Sequence, residues 1–309
     1  MALLLLGKIK KLETWISLLQ AKRPDLEIRT DAHMGNLAEI QFILAGFDLP
    51  QALPPFPNLE LVISIGAGVD HILKNTKWIG NAVVVRLVST SLTAQMVEYI
   101  TLAVLTFQRR FIHYLALQKA QQWHYIPSAD AASFTIGILG LGVLGSAVAT
   151  QLQQFGYPVR GWSRRPKTLA NIDCFAGQDQ FRSFLSQCHV LICLLPLTQQ
   201  TAGILNLDTF SALPSGAFLV NVARGQHLVE NDLLTALNSG QIAAAWLDVF
   251  QTEPLPQNHP FWSDQRIMIT PHIAAVTLPH EVIDQVVEAI DCCQTGKPLK
   301  NVVDLERGY

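Results

Sequence analysis

A glycine pattern between an apolar strand and a helix constrains this chain more than any other feature. The stretch FTIGILGLGVLG contains it, and the helix-like SAVATQLQQF follows. Gly140 permits a tight turn, Gly142 lets a ligand approach the backbone, and Gly145 lets the helix pack closely on the strand. Because N–H groups at a helix start attract anions, those of Val143 and Leu144 would face phosphate. The stretch predicts a dinucleotide-binding turn, and a ligand-free glycine turn is the less favoured alternative.

The strand after this helix indicates which dinucleotide is bound. It reads YPVRGW and leads into Ser163, Arg164 and Arg165, without the carboxylate that usually holds the ribose hydroxyls of NAD. Two guanidinium groups and a hydroxyl are instead suited to a 2′-phosphate. The sequence therefore favours NADPH or NADP, with NADH possible but less favoured. A solvated basic loop is the alternative interpretation.

Length, charge and cysteine content limit the class of protein. A chain of 309 residues is long enough for two domains, and its net charge of −2 provides no basic field for nucleic acid. The apolar run in MALLLLGKIK is too short for a secretory or membrane-spanning segment, so no membrane association is expected. The five cysteines show neither metal-ligand spacing nor the density of a disulfide scaffold, which predicts a cytoplasmic protein without a metal site.

Apolar strands alternate with helical stretches in two series, as is typical of parallel α/β sheets. The first series runs LLLL, LEIR, FILA, LVISIG and AVVVRL, with a helix at KLETWISLLQAK. The second comprises six strands, FTIGIL, YPVRGW, VLICLLP, AFLVNVA, AAAWLDVF and RIMIT, as in a doubly wound nucleotide-binding domain. One more helix is predicted from His280 to Cys292, and the tail KPLKNVVDLERGY is expected to cross back to the first domain.

One or two long helices are predicted between the two series, over residues 91–125, which contain neither Gly nor Pro. Their excess apolar surface suits either burial within the chain or packing on a second subunit. We therefore predict two α/β domains, with the active-site cleft between them. Residues 98–280 would form the NADP-binding Rossmann domain, and residues 1–97 with 281–309 the substrate-binding domain.

Four polar residues follow strands of the second series, where open α/β sheets bind ligands: Arg224, Asp248, Glu253 and His272. Reducing a carbonyl by hydride leaves negative charge on its oxygen, and imidazole is the side chain that titrates nearest neutrality, so His272 is the candidate acid. Glu253 would hold the ring and favour its protonated form. Arg224 would bind a substrate carboxylate, and Asp248 would receive the nicotinamide amide. Each residue taken singly has an equally good structural explanation: a surface charge for Arg224, a cap for Asp248, a solvated loop residue for Glu253 and a turn histidine for His272.

A second glycine-rich turn, IGAGVD at residues 65–70, follows the first-series strand LVIS. Small residues expose backbone N–H groups, and successive N–H groups in a turn form an anion-binding nest. The turn predicts that a bound carboxylate is held from both domains, with a bare glycine turn as the alternative.

The ordered motifs GAGVD, QMVEY, GLGVLG, LLPLT, NVARG, LDVFQTEPLP and TPHIAA resemble those of the D-2-hydroxyacid dehydrogenases over nearly the whole chain. The segments RRFIHYLALQKAQQWH, WSRRPK and ERGY are most similar to the glyoxylate/hydroxypyruvate reductase A branch. The resemblance implies a flavodoxin-like substrate domain and NADPH-dependent reduction of glyoxylate to glycolate and of hydroxypyruvate to glycerate. It also implies a homodimer formed through the nucleotide-binding domains. One departure lies at residues 45–47, AGF, where this branch tends to carry a tryptophan near the substrate.

The same resemblance assigns roles to individual residues. It implies that Arg224 and His272 bind the substrate, that His272 donates the proton and that Glu253 is the partner of this acid. Ala67 and Gly68 would bind the substrate carboxylate through their backbone N–H groups. The cofactor-binding set would be completed by Leu195, Pro196, Thr201, Val222 and Ala223.

Two other functions stay open at this point. One is a dinucleotide-sensing regulatory protein of the same fold with little turnover, although the chain lacks an appended tail or basic patch for a regulatory partner. The other is a dehydrogenase of different chemistry, acting on phosphoglycerate or formate. Phosphoglycerate enzymes often carry an extra regulatory domain, and no residues remain here for one.

Overall fold

The computed structural model describes residues 1–128 and 130–308. Ala129 and Tyr309, the last residue of the ERGY ending, lie outside the described residues. The chain divides into two compact units, Met1–Leu92 with Val276–Tyr309, and Thr93–Ala275. Each unit is built on its own parallel sheet.

The strands and helices are numbered along the chain. The strands are β1 (Ala2–Leu6), β2 (Glu27–Thr30), β3 (Ile40–Ala45), β4 (Leu61–Ser64), β5 (Val83–Arg86), β6 (Ile136–Leu139), β7 (Val159–Ser163), β8 (Asp173–Ala176), β9 (Val190–Cys193), β10 (Ala217–Asn221), β11 (Ile242–Leu247) and β12 (Ile267–Ile269). The helices are α1 (Leu12–Lys22), α2 (Asp70–Leu73), α3 (Thr90–Gln108), α4 (Phe111–Lys119), α5 (Val143–Gln154), α6 (Phe181–Leu185), α7 (Leu207–Ser211), α8 (Glu230–Asn238) and α9 (Pro279–Thr295).

The first unit has a five-stranded parallel sheet in the order β2-β1-β3-β4-β5, which is the flavodoxin-like order. Successive residues of β1 enter two different apolar clusters, because side chains alternate across a strand. Leu3 and Leu5 pack in the cluster that contains Trp15 of α1 and Val286 of α9. A strand buried on both faces reads as an unbroken apolar run, which explains the LLLL segment.

The second unit has a seven-stranded parallel sheet in the order β12-β11-β10-β9-β6-β7-β8. Its chain order reverses between β6 and β9, as in doubly wound folds, where ligands bind at the carboxyl ends next to this switch point. The predicted fold class, two α/β units of which one is Rossmann-like, is confirmed. The prediction of six strands in this sheet was wrong by one, because β8 was missed. It is a four-residue edge strand that begins with an exposed aspartate and has no continuous buried run.

The helical segment predicted over residues 91–125 consists of α3 and α4 and ends at Lys119, so the prediction was wrong for residues 120–125, which are not helical. The break comes at Arg109 and Arg110, and Arg110 has the left-handed backbone angle φ of 58°. Helix α3 buries Ile100, Val104 and other apolar residues in the core of the second unit, whereas α4 has no buried residue. Within the described residues, no helix is both long and apolar enough to span a membrane.

Candidate active site

The glycine turn between β6 and α5 has the geometry that a dinucleotide requires. Gly140 has a φ of 101°, and a Cβ atom there would lie 2.8 Å from the carbonyl oxygen of Leu194. A Cβ on Gly145 would lie 1.8 Å from the carbonyl oxygen of Gly140, so only glycine allows this contact. A Cβ on Gly142 would meet nothing within 4 Å, which leaves open space beside the backbone. The three glycines therefore fit a pyrophosphate in the way the sequence predicts.

The start of α5 is suited to an anion. Gly142 is its N-cap residue, no side chain caps the exposed N–H groups, and no acidic residue lies in the first turn. These N–H groups, including those of Val143 and Leu144, carry the positive end of the helix dipole. Five more predicted cofactor residues follow β9, which is next to β6 in the sheet, and β10, which is next to β9: Leu195, Pro196, Thr201, Val222 and Ala223.

The basic loop after β7 places three cations near this turn. Arg164 and Arg165 are exposed, and Nζ of Lys167 donates a hydrogen bond to the carbonyl oxygen of Leu141, inside the glycine turn. The Ser163 hydroxyl donates to the carbonyl oxygen of Arg165 at 2.7 Å and is largely buried, so it shapes the loop. Its contact with a 2′-phosphate stays a prediction. The donor set suits a phosphate dianion, since no carboxylate occurs in this loop.

An imidazole and a carboxylate meet at the end of the same sheet. Nδ1 of His272, after β12, lies 2.8 Å from Oε2 of Glu253, in the loop after β11. The other oxygen of Glu253 accepts the N–H of Phe250 at 2.9 Å. Burial favours the neutral acid, but the hydrogen bonds from His272 and Phe250 and the charge of Arg224 outweigh it and lower the pKa of Glu253. Since an ionised carboxylate only accepts hydrogen bonds, Nδ1 must donate, which leaves Nε2 to hold a transferable proton.

Arg224 belongs to the turn after β10, next to β11 in the sheet. The buried Asn221 shapes this turn, because its side chain accepts the N–H of Ala223 and donates to the carbonyl oxygen of Arg224. A Cβ on Gly225 would lie 1.8 Å from the carbonyl carbon of Phe250, so glycine lets the two loops pack backbone to backbone. The structure thus brings Arg224, Glu253 and His272 together at three neighbouring strand ends.

Asp248 is fully buried and fixes the backbone around His272. Its carboxylate accepts the N–H groups of Ile273 at 2.9 Å and Ala274 at 2.8 Å, and its carbonyl oxygen accepts the N–H of His272 at 2.9 Å. His272 itself has a φ of 54°, a left-handed conformation that costs a residue with a Cβ atom about 1–3 kcal/mol. Such a conformation persists where the surroundings determine it, as Asp248 does here. The predicted contact of Asp248 with a nicotinamide amide stays a prediction.

The glycine-rich turn of the first unit has three carbonyl oxygens that accept side-chain hydrogen bonds. Oγ of Ser64 lies 3.3 Å from the carbonyl oxygen of Gly66 and 3.1 Å from that of Gly68, and Arg86 donates to the carbonyl oxygen of Ala67 at 3.3 Å. The N–H groups of Ala67 and Gly68 make no hydrogen bond to any of the described residues. Occupied carbonyl oxygens, together with two N–H groups that bond to none of the described residues, fit an anion nest.

Comparison with known proteins identifies the family. Residues 101–274 match the family described as D-isomer specific 2-hydroxyacid dehydrogenase, NAD binding domain. Glyoxylate/hydroxypyruvate reductase A of Yersinia enterocolitica is 44% identical over 300 residues, which are 96% of each chain. The chain belongs to the D-isomer specific 2-hydroxyacid dehydrogenase family. The resemblance inferred from its motifs is confirmed.

Solved structures of this dehydrogenase family superpose on the whole chain. A D-isomer specific 2-hydroxyacid dehydrogenase from Xanthobacter autotrophicus Py2, in complex with NADPH and MES, is 38% identical, with a TM-score of 0.93 and coverage of 100% of this chain and 99% of that one. The NADPH-dependent glyoxylate/hydroxypyruvate reductase of Sinorhizobium meliloti, in complex with NADP and sulfate, is 32% identical, with a TM-score of 0.90 and coverage of 100% and 99%.

Several residues of this dehydrogenase's site were not predicted from the sequence. Lys167 belongs to the basic loop WSRRPK, so its charge was a usable signal. Arg86 ends a strand of the first series, whereas the four candidate residues named at strand ends all belong to the second. Tyr99 and Thr270 lie behind His272 and are joined by a hydrogen bond across 171 residues, which no local pattern reveals. Among the described residues, no group of three or more His, Cys, Asp or Glu side chains could hold a metal ion.

Proposed function

We propose that this chain reduces small 2-oxoacids with NADPH, taking glyoxylate to glycolate and hydroxypyruvate to glycerate. The observation that carries the proposal is the 2.8 Å contact between His272 and the ionised Glu253, beside Arg224 at the end of a sheet that also bears the glycine turn. The names of the Yersinia and Sinorhizobium relatives support this choice of substrates and cofactor.

The second unit would hold the cofactor. The N–H groups at the start of α5 would bind the pyrophosphate, and Arg164, Arg165 and Lys167 would surround the 2′-phosphate. When bound, NADPH supplies the hydride that adds to the 2-oxo carbon. The three cations favour NADPH over NADH, since NADH carries no charge at the 2′ position for them to bind.

His272 would donate the proton that the carbonyl oxygen needs. Its Nδ1 donates to Glu253, so the proton leaves from Nε2, and the hydrogen-bonded carboxylate keeps the ring oriented for that transfer. Each turnover then converts one 2-oxoacid, one NADPH and one proton into a 2-hydroxyacid and NADP. A positioned acid of this kind contributes about 10²–10⁴-fold to the rate.

The substrate carboxylate would be bound by a guanidinium and by backbone N–H groups. Arg224 offers a planar pair of donors that matches a carboxylate, and its charge also stabilises the developing oxyanion. The N–H groups of Ala67 and Gly68 would offer a carboxylate-binding turn on the first unit, which would then be the substrate-binding domain. Residues 98–280 would be the NADP-binding domain, and residues 1–97 with 281–309 the substrate-binding domain.

A homodimer and a cytoplasmic location belong to the same proposal. Large apolar side chains are exposed along α3, α4 and the segment after them: Leu102, Phe111, Leu115, Trp123 and Tyr125. Phe111 and Leu115 are one helical turn apart and share a face of α4. Exposed apolar side chains on a shared helix face suit packing against a second copy of the chain. The five free thiols suit a reducing compartment.

The test is a steady-state assay of the purified chain. We expect NADPH absorbance to fall when glyoxylate or hydroxypyruvate is added, with slower turnover when NADH replaces NADPH. Phenylpyruvate serves as a bulky 2-oxoacid for comparison. If none of a broad panel of 2-oxoacids is reduced while NADPH still binds, the reductase proposal is wrong and the dinucleotide-sensing alternative is favoured. The His272 and Glu253 pair supports the reductase.

A further inference from the structure

The motif QMVEY, at residues 95–99, has no part in the function described so far, yet its tyrosine reaches the back of the candidate active site. We propose that Tyr99 and Thr270 are positioning residues for the proton donor, because their hydroxyls hold Asp248 and Asp248 holds the backbone of His272. The inference rests on the proposed function, in which His272 is the acid.

A chain of four polar groups leads from Trp246 of β11, through Tyr99 of α3 and Thr270, to Asp248. Nε1 of Trp246 lies 2.6 Å from the Tyr99 hydroxyl, which contacts the Thr270 hydroxyl. Oγ1 of Thr270 lies 2.6 Å from Oδ1 of Asp248, and the Tyr99 oxygen lies 3.4 Å from the same Oδ1. The ring of Tyr99 also packs edge-on against Trp246, with ring centroids 6.0 Å apart.

The two ends of this chain fix the direction of every hydrogen bond in it. An indole N–H can only donate, and a carboxylate can only accept. The Tyr99 oxygen therefore accepts from Trp246 and donates to Thr270, and Thr270 donates to Asp248. Burial raises the pKa of Tyr99 to about 12, so the phenol keeps the proton that it donates. The single phenolic proton is within reach of Oγ1 of Thr270 and, at 3.4 Å, of Oδ1 of Asp248, so Tyr99 can donate to either member of this pair.

Asp248 connects this chain of hydrogen bonds to the backbone of His272. Its carboxylate is fully buried, and its two oxygens accept the N–H groups of Ile273 and Ala274. These bonds, with the one from the His272 N–H to the Asp248 carbonyl oxygen, hold the loop with His272 in its left-handed conformation. A rotated Asp248 carboxylate would release the two N–H groups and let His272 move relative to Glu253. Small displacements of a reacting group lower rates strongly.

Two matched pairs of variants test the proposal. Tyr99→Phe removes only the hydroxyl, and Tyr157→Phe is its control, since Tyr157 is buried in the same unit and its hydroxyl makes no hydrogen bond to the described residues. Thr270→Val removes the second hydroxyl at constant shape, and Thr270→Ser restores it. Each protein is assayed for kcat and KM with glyoxylate, for NADPH affinity by fluorescence, and for amide hydrogen exchange of Ile273 and Ala274 without ligands.

We expect kcat to fall about tenfold or more in Tyr99→Phe and Thr270→Val, since a misplacement of about 1 Å can cost roughly 100-fold. KM and NADPH affinity should stay close to those of the unmodified chain, as should kcat in Tyr157→Phe and Thr270→Ser. The amides of Ile273 and Ala274 should exchange faster, while those of β6, β9 and β10 keep their rates. The double variant should lose no more kcat than the single variants, because both hydroxyls act through one chain.

Several results would overturn the proposal. Unchanged kcat in both hydroxyl-deletion variants would remove Tyr99 and Thr270 from any positioning role. Equal acceleration of exchange across the whole sheet, or multiplied losses of kcat in the double variant, would indicate general destabilisation instead. If Tyr99→Phe fails to fold, the comparison of Thr270→Val with Thr270→Ser still tests the positioning role. If the unmodified chain reduces no 2-oxoacid, the proposed function fails, and local exchange at Ile273 and Ala274 still tests the hydrogen-bond chain.

Discussion

Nδ1 of His272 and Oε2 of Glu253 lie 2.8 Å apart, although 19 residues separate them in the chain. The contact forms because β11 and β12 are neighbours in a parallel sheet, so the loops after them share one edge. Glu253 gains a second anchor from the N–H of Phe250, and its carboxylate therefore has little freedom to leave the ring. The pair directs Nε2 of His272 away from Glu253 and leaves it to act on a substrate.

Replacing the imidazole should abolish most of the turnover. For His272→Gln we expect kcat to fall by about 10²–10⁴-fold, because the proton donor is lost. NADPH affinity should not change, since the glycine turn and the basic loop are untouched. A matched control is His259→Gln, because His259 also pairs with a glutamate, Glu230, at 3.3 Å and is assigned no part in the reaction. Unchanged kcat in His272→Gln would remove this residue from the acid role.

Much of this site follows from the sequence, because it depends on strand ends. Apolar runs identify the strands, and the carboxyl ends of parallel strands share an edge. Arg224, Glu253 and His272 can therefore be grouped from the order of residues alone. The glycine spacing likewise identifies the turn at β6, since a side chain at each of these positions would obstruct the turn, the ligand or the packing of the helix.

Other parts of the site depend on contacts between distant segments. The hydrogen bond between Tyr99 and Thr270 joins a helix of the second unit to a strand end, and tyrosine on a helix is ordinarily assigned to packing. The support of Ala67 by Arg86 requires the pairing of β4 with β5. The inward turn of the Ser163 hydroxyl depends on the path of its own loop. Periodicity and residue type carry none of this information.

The Glu253 carboxylate should contribute to stability in a pH-dependent way. Its pKa in the folded chain lies below the ordinary value of 4.5, so the folded state binds the proton less readily than the unfolded chain. The stabilisation is complete above pH 4.5 and disappears as pH falls through the lower pKa of the folded state. For Glu253→Gln, we expect the difference in unfolding free energy from the unmodified chain to be largest near neutral pH. Denaturant titrations from pH 7 to pH 3 measure it, and a difference that grows in acid would contradict the assignment.

The basic loop should decide between the two nicotinamide dinucleotides. Arg164→Ala combined with Arg165→Ala should weaken NADPH binding by roughly 10- to 100-fold or more, because hydrogen bonds to a charged group contribute about 1.5–3 kcal/mol each. NADH affinity should change little, so its relative use should rise. Arg182→Ala, an exposed arginine on α6, is the control for loss of charge alone. Titration of both cofactors by fluorescence is the measurement, and an unaltered preference would show that this loop does not bind the 2′-phosphate.

The exposed face of α4 should control assembly. Leu115→Glu places a charge beside Phe111 on the surface that we propose for the dimer, and desolvating an unpaired carboxylate is costly. We expect the variant to sediment as a monomer at concentrations where the unmodified chain is a dimer. Leu207→Glu, at an exposed leucine of α7, should leave the dimer intact. If the unmodified chain is a monomer, the proposed dimer is wrong. If Leu115→Glu is still a dimer, the interface does not include this face of α4.

Arg224 should affect both the substrate and the carboxylate of Glu253. Arg224→Gln removes a charged partner of the substrate carboxylate, so we expect KM for glyoxylate to rise by on the order of 30-fold or more, with NADPH affinity retained. Its charge also helps to lower the pKa of Glu253, so the same variant should raise that pKa toward its ordinary value. The acid-dependent loss of stability should then shift to higher pH. Arg224→Lys keeps the charge but not the planar pair of donors, so it should preserve the acid dependence while KM still rises. If both variants leave KM unchanged, the substrate carboxylate does not bind at Arg224.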